Sequence, residues 1–159
     1  MFKRILVVGA AVTGCGFFLL TGEPAPPAVF TAAQAESGRT AYLSSCVRCH
    51  TDTLVGLDGT GEIPEIARQF GGKIPPLAGS NSAFPPFLTK WSTRTTAALY
   101  NRIQEAVGGF PPSGVRLDEE LGLNLTAYVL QVNGARAGAQ ALTKATAVEI
   151  GSITTPVAH

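Results

Sequence analysis

The sequence predicts an all-α domain of three main helices joined by long loops. Three segments begin with helix-capping residues, at Thr31, Thr93 and Asp118. The second and third of these segments repeat apolar residues with the period of a helix rather than that of a strand. No segment shows the alternation of polar and apolar residues that a half-buried strand has, so no sheet is expected.

The first helix is predicted over residues 31–45. Thr31 and Gln34 form a capping box, and Phe30 precedes the cap, where a hydrophobic staple would stand. Ala33-Gln34-Ala35 also has the small-x-small form of a signal-cleavage site, but it lies far beyond the apolar leader. We therefore prefer the helical interpretation of these residues.

The other two helices are predicted from their caps and apolar faces. Thr93 is expected to cap a helix that ends near Val107, before a Gly-Gly pair. Asp118 is expected to cap the last helix, which an Asn-Gly pair closes. The apolar face comprises Leu99, Ile103, Ala106 and Val107 in the first of these helices, and Leu121, Leu125, Tyr128, Val129 and Val132 in the second.

The chain of 159 residues is long enough for one small domain, an export segment and a tail. Lys3 and Arg4 lie in the leader, and without these two residues the sequence has 10 basic and 11 acidic residues. Because this balance includes no basic stripe, no nucleic-acid partner is expected. We assign residues 1–28 to the leader and linker, 29–137 to the domain and 138–159 to a C-terminal coil or tail.

Residues 1–28 are interpreted as an export signal or an N-terminal anchor with a Pro-rich linker. The apolar stretch 5–20 follows two positive charges and is shorter than the ~20 residues of a comfortable membrane span. The residues around Cys15 resemble a lipidation box, but the apolar side chains that follow favour a cysteine that occurs there by chance. We expect a periplasmic protein, with membrane attachment only through the anchor or a lipid on Cys15.

The run from Cys46 to His50 has the form C-x-x-C-H. Thiols at the spacing of Cys46 and Cys49 can form thioethers to the two vinyl groups of one haem, and His50 can then bind the iron. The motif therefore predicts one covalent haem c, with His50 as the metal ligand. A redox C-x-x-C and half of a zinc site are weaker hypotheses. No βαβ pattern surrounds the motif, and beyond the leader His159 is the one other His or Cys.

Residues 71–90 contain several glycines and prolines and are expected to be mostly loop. Residues 51–61 are also expected to be loop, and 64–70 to form one or two helical turns. An apolar loop as long as 71–90 needs an apolar surface to wrap, and a porphyrin face is a good candidate. The large apolar residues of this loop are Ile74, Leu77, Phe84, Phe87 and Leu88.

The haem motif is accompanied by the runs 30–35, 76–79, 99–103 and 127–134 and by Trp91. Together they resemble class I cytochrome c, in particular the small periplasmic cytochromes associated with or fused to bacterial quinoprotein (PQQ) dehydrogenases. The resemblance implies the class I cytochrome c fold around one covalent haem, and an electron carrier between a periplasmic dehydrogenase and the respiratory chain. The first and last helices would then cross near the haem, with Gly38 or Tyr42 against Leu125 or Tyr128.

The resemblance also implies roles for residues around the haem. A carbonyl of Pro75 or Pro76 would accept the hydrogen bond of the second ring nitrogen of His50, which fixes the tautomer of that ring. Leu77 would pack against the face of the haem. Trp91 would lie near a propionate, or it would equally well be an ordinary core residue.

The chain departs from the family at the sixth iron ligand. Met1 is the only methionine, and Phe110 stands where the family has a methionine before Pro-Pro. We expect Phe110 to cover that face of the haem and to leave the iron five-coordinate or bound to water. The alternative ligands are His159, a neutral Lys73 or Lys90, and Tyr100 or Asn81.

Two further classes of function stay open beside that of electron carrier. An open distal site could bind a small gas or peroxide, or a degenerate cytochrome could persist as a structural subunit. Without a methionine ligand, the haem potential should be lower than is usual in this family. No catalytic residue is assigned, and the chain is not expected to be an enzyme by itself.

Overall fold

The computed structural model of the chain describes residues 25–108 and 117–155, and within these ranges the protein is mostly helical, as predicted. The leader up to residue 24, including Cys15, lies outside the described residues. None of the helices in the described ranges is long and apolar enough to cross a membrane. The elements are α1 (Ala32–Ser45), α2 (Val47–His50), β1 (Leu57–Asp58), α3 (Glu65–Arg68), β2 (Lys73–Ile74), α4 (Phe87–Trp91), α5 (Thr96–Gly108), α6 (Glu119–Val132) and a 3-10 turn at Ile150–Ser152.

Helices α1 and α6 pack against each other at a close crossing. A Cβ atom built on Gly38 of α1 would lie 1.9 Å from the carbonyl oxygen of Asn124 in α6, so only glycine permits this approach. One turn further along α1, the rings of Tyr42 and Tyr128 lie 5.4 Å apart between centroids. The expected pairing of the first and last helices through these residues is confirmed.

Helix α6 is the central helix of the fold. The Asp118 carboxylate accepts the N–H of Leu121 at 2.7 Å, as predicted for the cap. Gly134, with a φ of +91°, turns the chain after the helix ends. Every residue from Gly122 to Leu130 is buried, because α1 and α5 both pack against α6. The helix is therefore buried on nearly all faces, and not on the single apolar face expected from the sequence.

The capping box of α1 is confirmed, and one of its residues has a second role. The Thr31 hydroxyl accepts the N–H of Gln34, and the Gln34 side chain accepts the N–H of Thr31, both at 3.2 Å. The same Gln34 amide also exchanges two hydrogen bonds with the backbone of Leu142, at 2.8 and 2.9 Å. The start of α1 is therefore tied to the C-terminal segment.

The C-terminal segment is an ordered coil as far as residue 155, and it completes the core. Ile150 and Ile153 are fully buried. The Thr96 hydroxyl at the start of α5 donates to the carbonyl of Thr146 at 2.6 Å. The core consequently continues past the domain boundary that the sequence suggested at residue 137.

Two expectations about local structure are wrong. The cap of α5 is Thr95, whose hydroxyl accepts the N–H of Ala98 at 3.2 Å, whereas Thr93 is exposed in the preceding turn. Thr95 also pairs through its backbone with Glu149, which anchors this end of α5. In addition, β1 and β2 form an antiparallel ribbon where no sheet was expected. Strands of two residues are too short to show a polar and apolar alternation.

Gly38→Ala should destabilise the fold, because the added methyl group overlaps the Asn124 carbonyl. We expect a loss of about 1–3 kcal/mol in the free energy of unfolding, the usual cost of overpacking. Urea denaturation followed by circular dichroism measures this loss. The matched control is Ser37→Ala, on the exposed face of α1, which should change stability by less than about 0.5 kcal/mol. Equal stability of the two variants would contradict the close crossing.

Candidate functional site

The C-x-x-C-H motif forms a short helical turn directly after α1. Cys46 ends α1, with its N–H donating to the carbonyl of Tyr42 at 2.8 Å, and α2 follows at once. Cys46 and Cys49 are both free and half-buried. Thr51 ends the turn with a φ of +63°, a value that residues other than glycine seldom adopt. The motif is thus held at a sharp bend between α1 and the following loop.

The His50 ring makes one defined hydrogen bond. Its Nδ1 lies 3.1 Å from the carbonyl oxygen of Pro75. Because a carbonyl can only accept, the proton is on Nδ1, and Nε2 carries the free lone pair. Nε2 makes no hydrogen bond with any other described residue. Burial lowers the pKa of His50 to about 4, although the Pro75 carbonyl acts in the opposite direction. At neutral pH the ring is therefore uncharged and can donate Nε2 to a metal.

The acceptor for the His50 ring is Pro75 and not Pro76, which is buried beside it. The loop that follows the two prolines is fixed by Leu54. The Leu54 carbonyl accepts the N–H groups of Leu77 and Ala78, at 2.8 and 3.1 Å. These bonds hold the Pro-Pro segment against the chain that leaves the motif.

Gly56 forms the second contact with the motif histidine. Its N–H donates to the backbone carbonyl of His50 at 3.1 Å. Gly56 has a φ of +70°, and a Cβ atom on it would lie 2.2 Å from the Ile74 oxygen and 2.9 Å from the Pro75 oxygen. Only glycine therefore allows the two loop segments to meet beside His50.

An apolar cluster surrounds the motif. Its buried centre is formed by Tyr42, Leu54, Ala78, Leu125 and Tyr128. Half-buried side chains pack around that centre and present an apolar wall that solvent still reaches. These are Ala41, Cys46, Val47, Leu77, Ile103, Leu117, Leu121 and Val132. We call the whole set the motif cluster. Two cysteines, a neutral histidine and an apolar wall are the chemistry that a porphyrin requires, and Leu77 is part of that wall, while its contact with a haem face stays a prediction.

Trp91 belongs to the main apolar core of the domain. It is buried, its ring stacks on Phe87 at 5.8 Å, and the Arg94 guanidinium lies 5.3 Å from the ring centroid. Trp91 also borders a surface cleft of about 380 Å³ between α4 and α5. Its role in the core is thus established, while a contact with a propionate stays a prediction. Phe87 and Ile74, expected in a loop that wraps a cofactor, are instead buried within the protein.

Both thiols of the motif have raised pKa values. Burial raises the pKa of Cys46 to about 11 and also raises that of Cys49. Thiol-disulfide exchange needs a thiolate, and reactive cysteines lie where the surroundings lower the pKa. The electrostatics of the turn therefore disfavour the redox hypothesis. In residues 25–105 and 117–155, no three His, Cys, Asp or Glu side chains form a group suited to a metal ion.

Four of the alternative sixth ligands lie in the described part of the chain. The Asn81 side chain is fully engaged with backbone groups: its amide donates to the carbonyls of Val55 and Ile74, and its oxygen accepts two N–H groups of its own loop. The Tyr100 hydroxyl accepts a hydrogen bond from Gln104 at 3.0 Å. Lys73 and Lys90 are exposed. None of these four groups is directed to the motif by a contact in the described structure.

Phe110 and His159 lie outside the described residues. The prediction that Phe110 covers the iron therefore stays a prediction. Leu117, the first described residue after 116, packs in the motif cluster, as does Ile103 of α5.

Three contacts at the site were not predicted from the sequence. Tyr42 donates its hydroxyl to the carbonyl of Thr51, immediately after the motif. Asn133 donates its amide to the carbonyl of Leu77 at 2.8 Å. Leu54, with a φ of +63°, supplies the carbonyl that holds the Pro-Pro loop. Tyr42 was predicted only as a residue of the helix crossing, and Asn133 only as part of the Asn-Gly pair that closes α6, because no sequence pattern marks the contacts that they make in the fold.

The chain matches no protein-family model, no curated protein and no solved structure. The functional argument consequently rests on the geometry and chemistry of the motif, together with the sequence motifs that accompany it.

In the folded, haem-free chain, Cys46 should react slowly with iodoacetamide, because only the thiolate attacks. With its pKa raised to about 11, Cys46 has little thiolate at neutral pH, and its reaction rate should keep rising with pH up to that value. Mass spectrometry of tryptic peptides from a Cys49→Ala chain measures the rate at Cys46. The same chain in urea is the control and should react as an ordinary cysteine. A faster reaction in the folded chain at neutral pH would restore the redox hypothesis.

Proposed function

We propose that the chain is an exported mono-haem c-type cytochrome that transfers single electrons. The observation that carries the proposal is the His50 ring, which is neutral and fixed through Nδ1 by Pro75, directly after Cys49 in a C-x-x-C-H turn. Cys46 and Cys49 would hold the haem through thioethers, and Nε2 of His50 would bind the iron. The bound haem would supply reversible one-electron chemistry.

The class I cytochrome c fold is part of the same proposal. Its support is the crossing of the first and last helices at Gly38, beside the motif, and the position of the Pro-Pro-Leu run against His50. The half-buried apolar side chains of the motif cluster, such as Val47, Leu77 and Leu121, would exclude water from the ring. An apolar surrounding of this kind is one of the means by which a protein sets a haem potential.

We further propose that the protein works in the periplasm, between a dehydrogenase and the respiratory chain. The apolar leader after Lys3 and Arg4 supports export. The sequence resemblance supports a quinoprotein dehydrogenase as the electron donor. Membrane attachment through an N-terminal anchor or a lipid on Cys15 is compatible with that role. The near balance of charges predicts that association with the partner depends weakly on salt.

A second candidate function is the binding of a small gas or peroxide at the open distal side of the haem. The observation that favours it is the absence of any methionine after Met1, which leaves the usual sixth ligand out of the exported chain. The two functions share the motif and differ in what occupies the sixth position. Absorption spectra of both oxidation states, with and without carbon monoxide, separate them.

The denatured protein, produced with c-type haem maturation, should keep its haem stain on a gel. Replacing Cys46 and Cys49 together by alanine should abolish the stain, because no thioether can then form. Ser45→Ala, next to the motif, is the control and should keep it. Extraction of the haem from the unmutated protein by acidified organic solvent would refute covalent attachment.

The haem should be predominantly high spin and should bind carbon monoxide when reduced, since Phe110 has no lone pair to donate. Phe110→Met should convert the spectrum to low spin and raise the midpoint potential, because a thioether ligand favours reduced iron. Phe110→Leu is the control and should leave the spin state unchanged. An unmutated protein that is low spin in both states and ignores carbon monoxide has a strong sixth ligand. Lys73, Lys90 and His159 would then be the residues to replace.

A further inference from the structure

We propose that Asn81 is a positioning residue that holds both contacts of the motif histidine. Its Nδ2 donates to the carbonyl of Val55 at 2.7 Å and, through a longer bond, to that of Ile74 at 3.4 Å. Its Oδ1 accepts the N–H groups of Ala83 and Phe84, both at 3.0 Å. The hydrogen bonds to Oδ1 thus fix the orientation of the side-chain amide. Nδ2 then joins two segments, one at Val55 and one at Ile74.

The first of these segments holds the backbone of the histidine. The Val55 carbonyl and the Gly56 N–H belong to one planar peptide group, so that fixing the first orients the second. The Gly56 N–H donates to the backbone carbonyl of His50 at 3.1 Å. The bond from Asn81 to Val55 therefore orients the donor that His50 requires.

The second segment holds the ring of the histidine. The Ile74 carbonyl is one residue before the Pro75 carbonyl, which accepts the Nδ1–H of His50 at 3.1 Å. The pyrrolidine ring of Pro75 restricts its φ, and the following Pro76 restricts its ψ to the extended region. With both torsions restricted, the direction of the Ile74 carbonyl sets that of the Pro75 carbonyl. Asn81 therefore acts on the His50 ring through the restricted backbone of Ile74 and Pro75.

Both contacts of His50 consequently depend on one side-chain amide. The hydrogen bond to Nδ1 fixes the tautomer of an imidazole ligand and makes the ligand more basic. If the Pro75 carbonyl loses its orientation, the proton of the haem-free ring distributes between Nδ1 and Nε2. The effect on the haem rests on the proposed function. In the haem-bound protein, Nε2 of His50 becomes a poorer electron-pair donor to the iron. The iron is then less stabilised in its oxidised state, and the midpoint potential becomes more positive.

Two variants remove the amide donor and keep the local turn. Asn81→Asp retains an oxygen that can accept from Ala83 and Phe84, and Asn81→Ser retains a hydroxyl and stays uncharged. The matched control is Thr96→Val. The buried Thr96 hydroxyl bonds to the C-terminal segment at Thr146, on another part of the fold, so this variant loses a buried polar contact without touching the motif.

The first measurement uses the folded, haem-free chain. Nitrogen-15 NMR of the His50 ring should show the Nδ1–H tautomer in the unmutated chain and in Thr96→Val, and a mixture of tautomers in both Asn81 variants. The second measurement uses the haem-bound protein. The uncharged Asn81→Ser variant should shift the midpoint potential to more positive values, and Thr96→Val should not. An unchanged tautomer in the folded Asn81 variants would overturn the proposal.

The two measurements separate this inference from the proposed function. A chain that never attaches haem, but whose His50 tautomer changes in the Asn81 variants, would refute the cytochrome proposal and support the positioning role. If both Asn81 variants fail to fold, solvent exchange of the Asn81 side-chain amide protons in the unmutated chain decides. Slow exchange supports the positioning role of Asn81, and exchange at the rate of an exposed amide would overturn it.

Discussion

Gly38 brings the backbones of α1 and α6 closer than any side chain would permit. That approach places Tyr42 on Tyr128 one turn later, and the Tyr42 hydroxyl then reaches the carbonyl of Thr51 just after the motif. Tyr42 therefore connects the helix crossing to the motif turn, so that a shift of α1 against α6 would also move the motif. Burial raises the pKa of Tyr42 above its ordinary value, which keeps the hydroxyl protonated and donating.

The segment between α2 and α5 has little regular structure and is held mainly by single polar contacts. Leu54, Asn81 and Asn133 each bind two or more backbone groups, and in each case at least one of these groups lies in the loop segments around the motif. Buried backbone groups need such partners, since an unpaired one costs about as much as a lost hydrogen bond. Two side-chain amides, of Asn81 and Asn133, and the backbone carbonyl of Leu54 thus connect the irregular loop segments that lie against His50.

Helix starts could be predicted from the sequence where the cap and its partner are neighbours along the chain, as at Thr31. The choice of Thr95 over Thr93 could not, because Thr95 is anchored by Glu149 far along the chain. That the C-terminal segment is ordered could not be predicted either, because its buried isoleucines show no periodicity and their partners are distant in the sequence. The same distinction between neighbouring and distant residues applies to the candidate site. Its cysteines and histidine follow from one contiguous motif, whereas the selection of a proline carbonyl by His50 and the bridging role of Asn81 depend on the folded loop.

Burial acts in one direction on all three donors of the motif, because it favours their neutral forms. It lowers the pKa of His50 to about 4, raises that of Cys46 to about 11 and raises that of Cys49 as well. Disulfide exchange and zinc binding both require a thiolate, so burial works against each of them. A thioether sulfur carries no charge, and a neutral imidazole is the form that binds iron, so burial penalises neither. The electrostatics of the turn therefore disfavour the two thiolate chemistries that a C-x-x-C sequence permits and are compatible with the proposed haem.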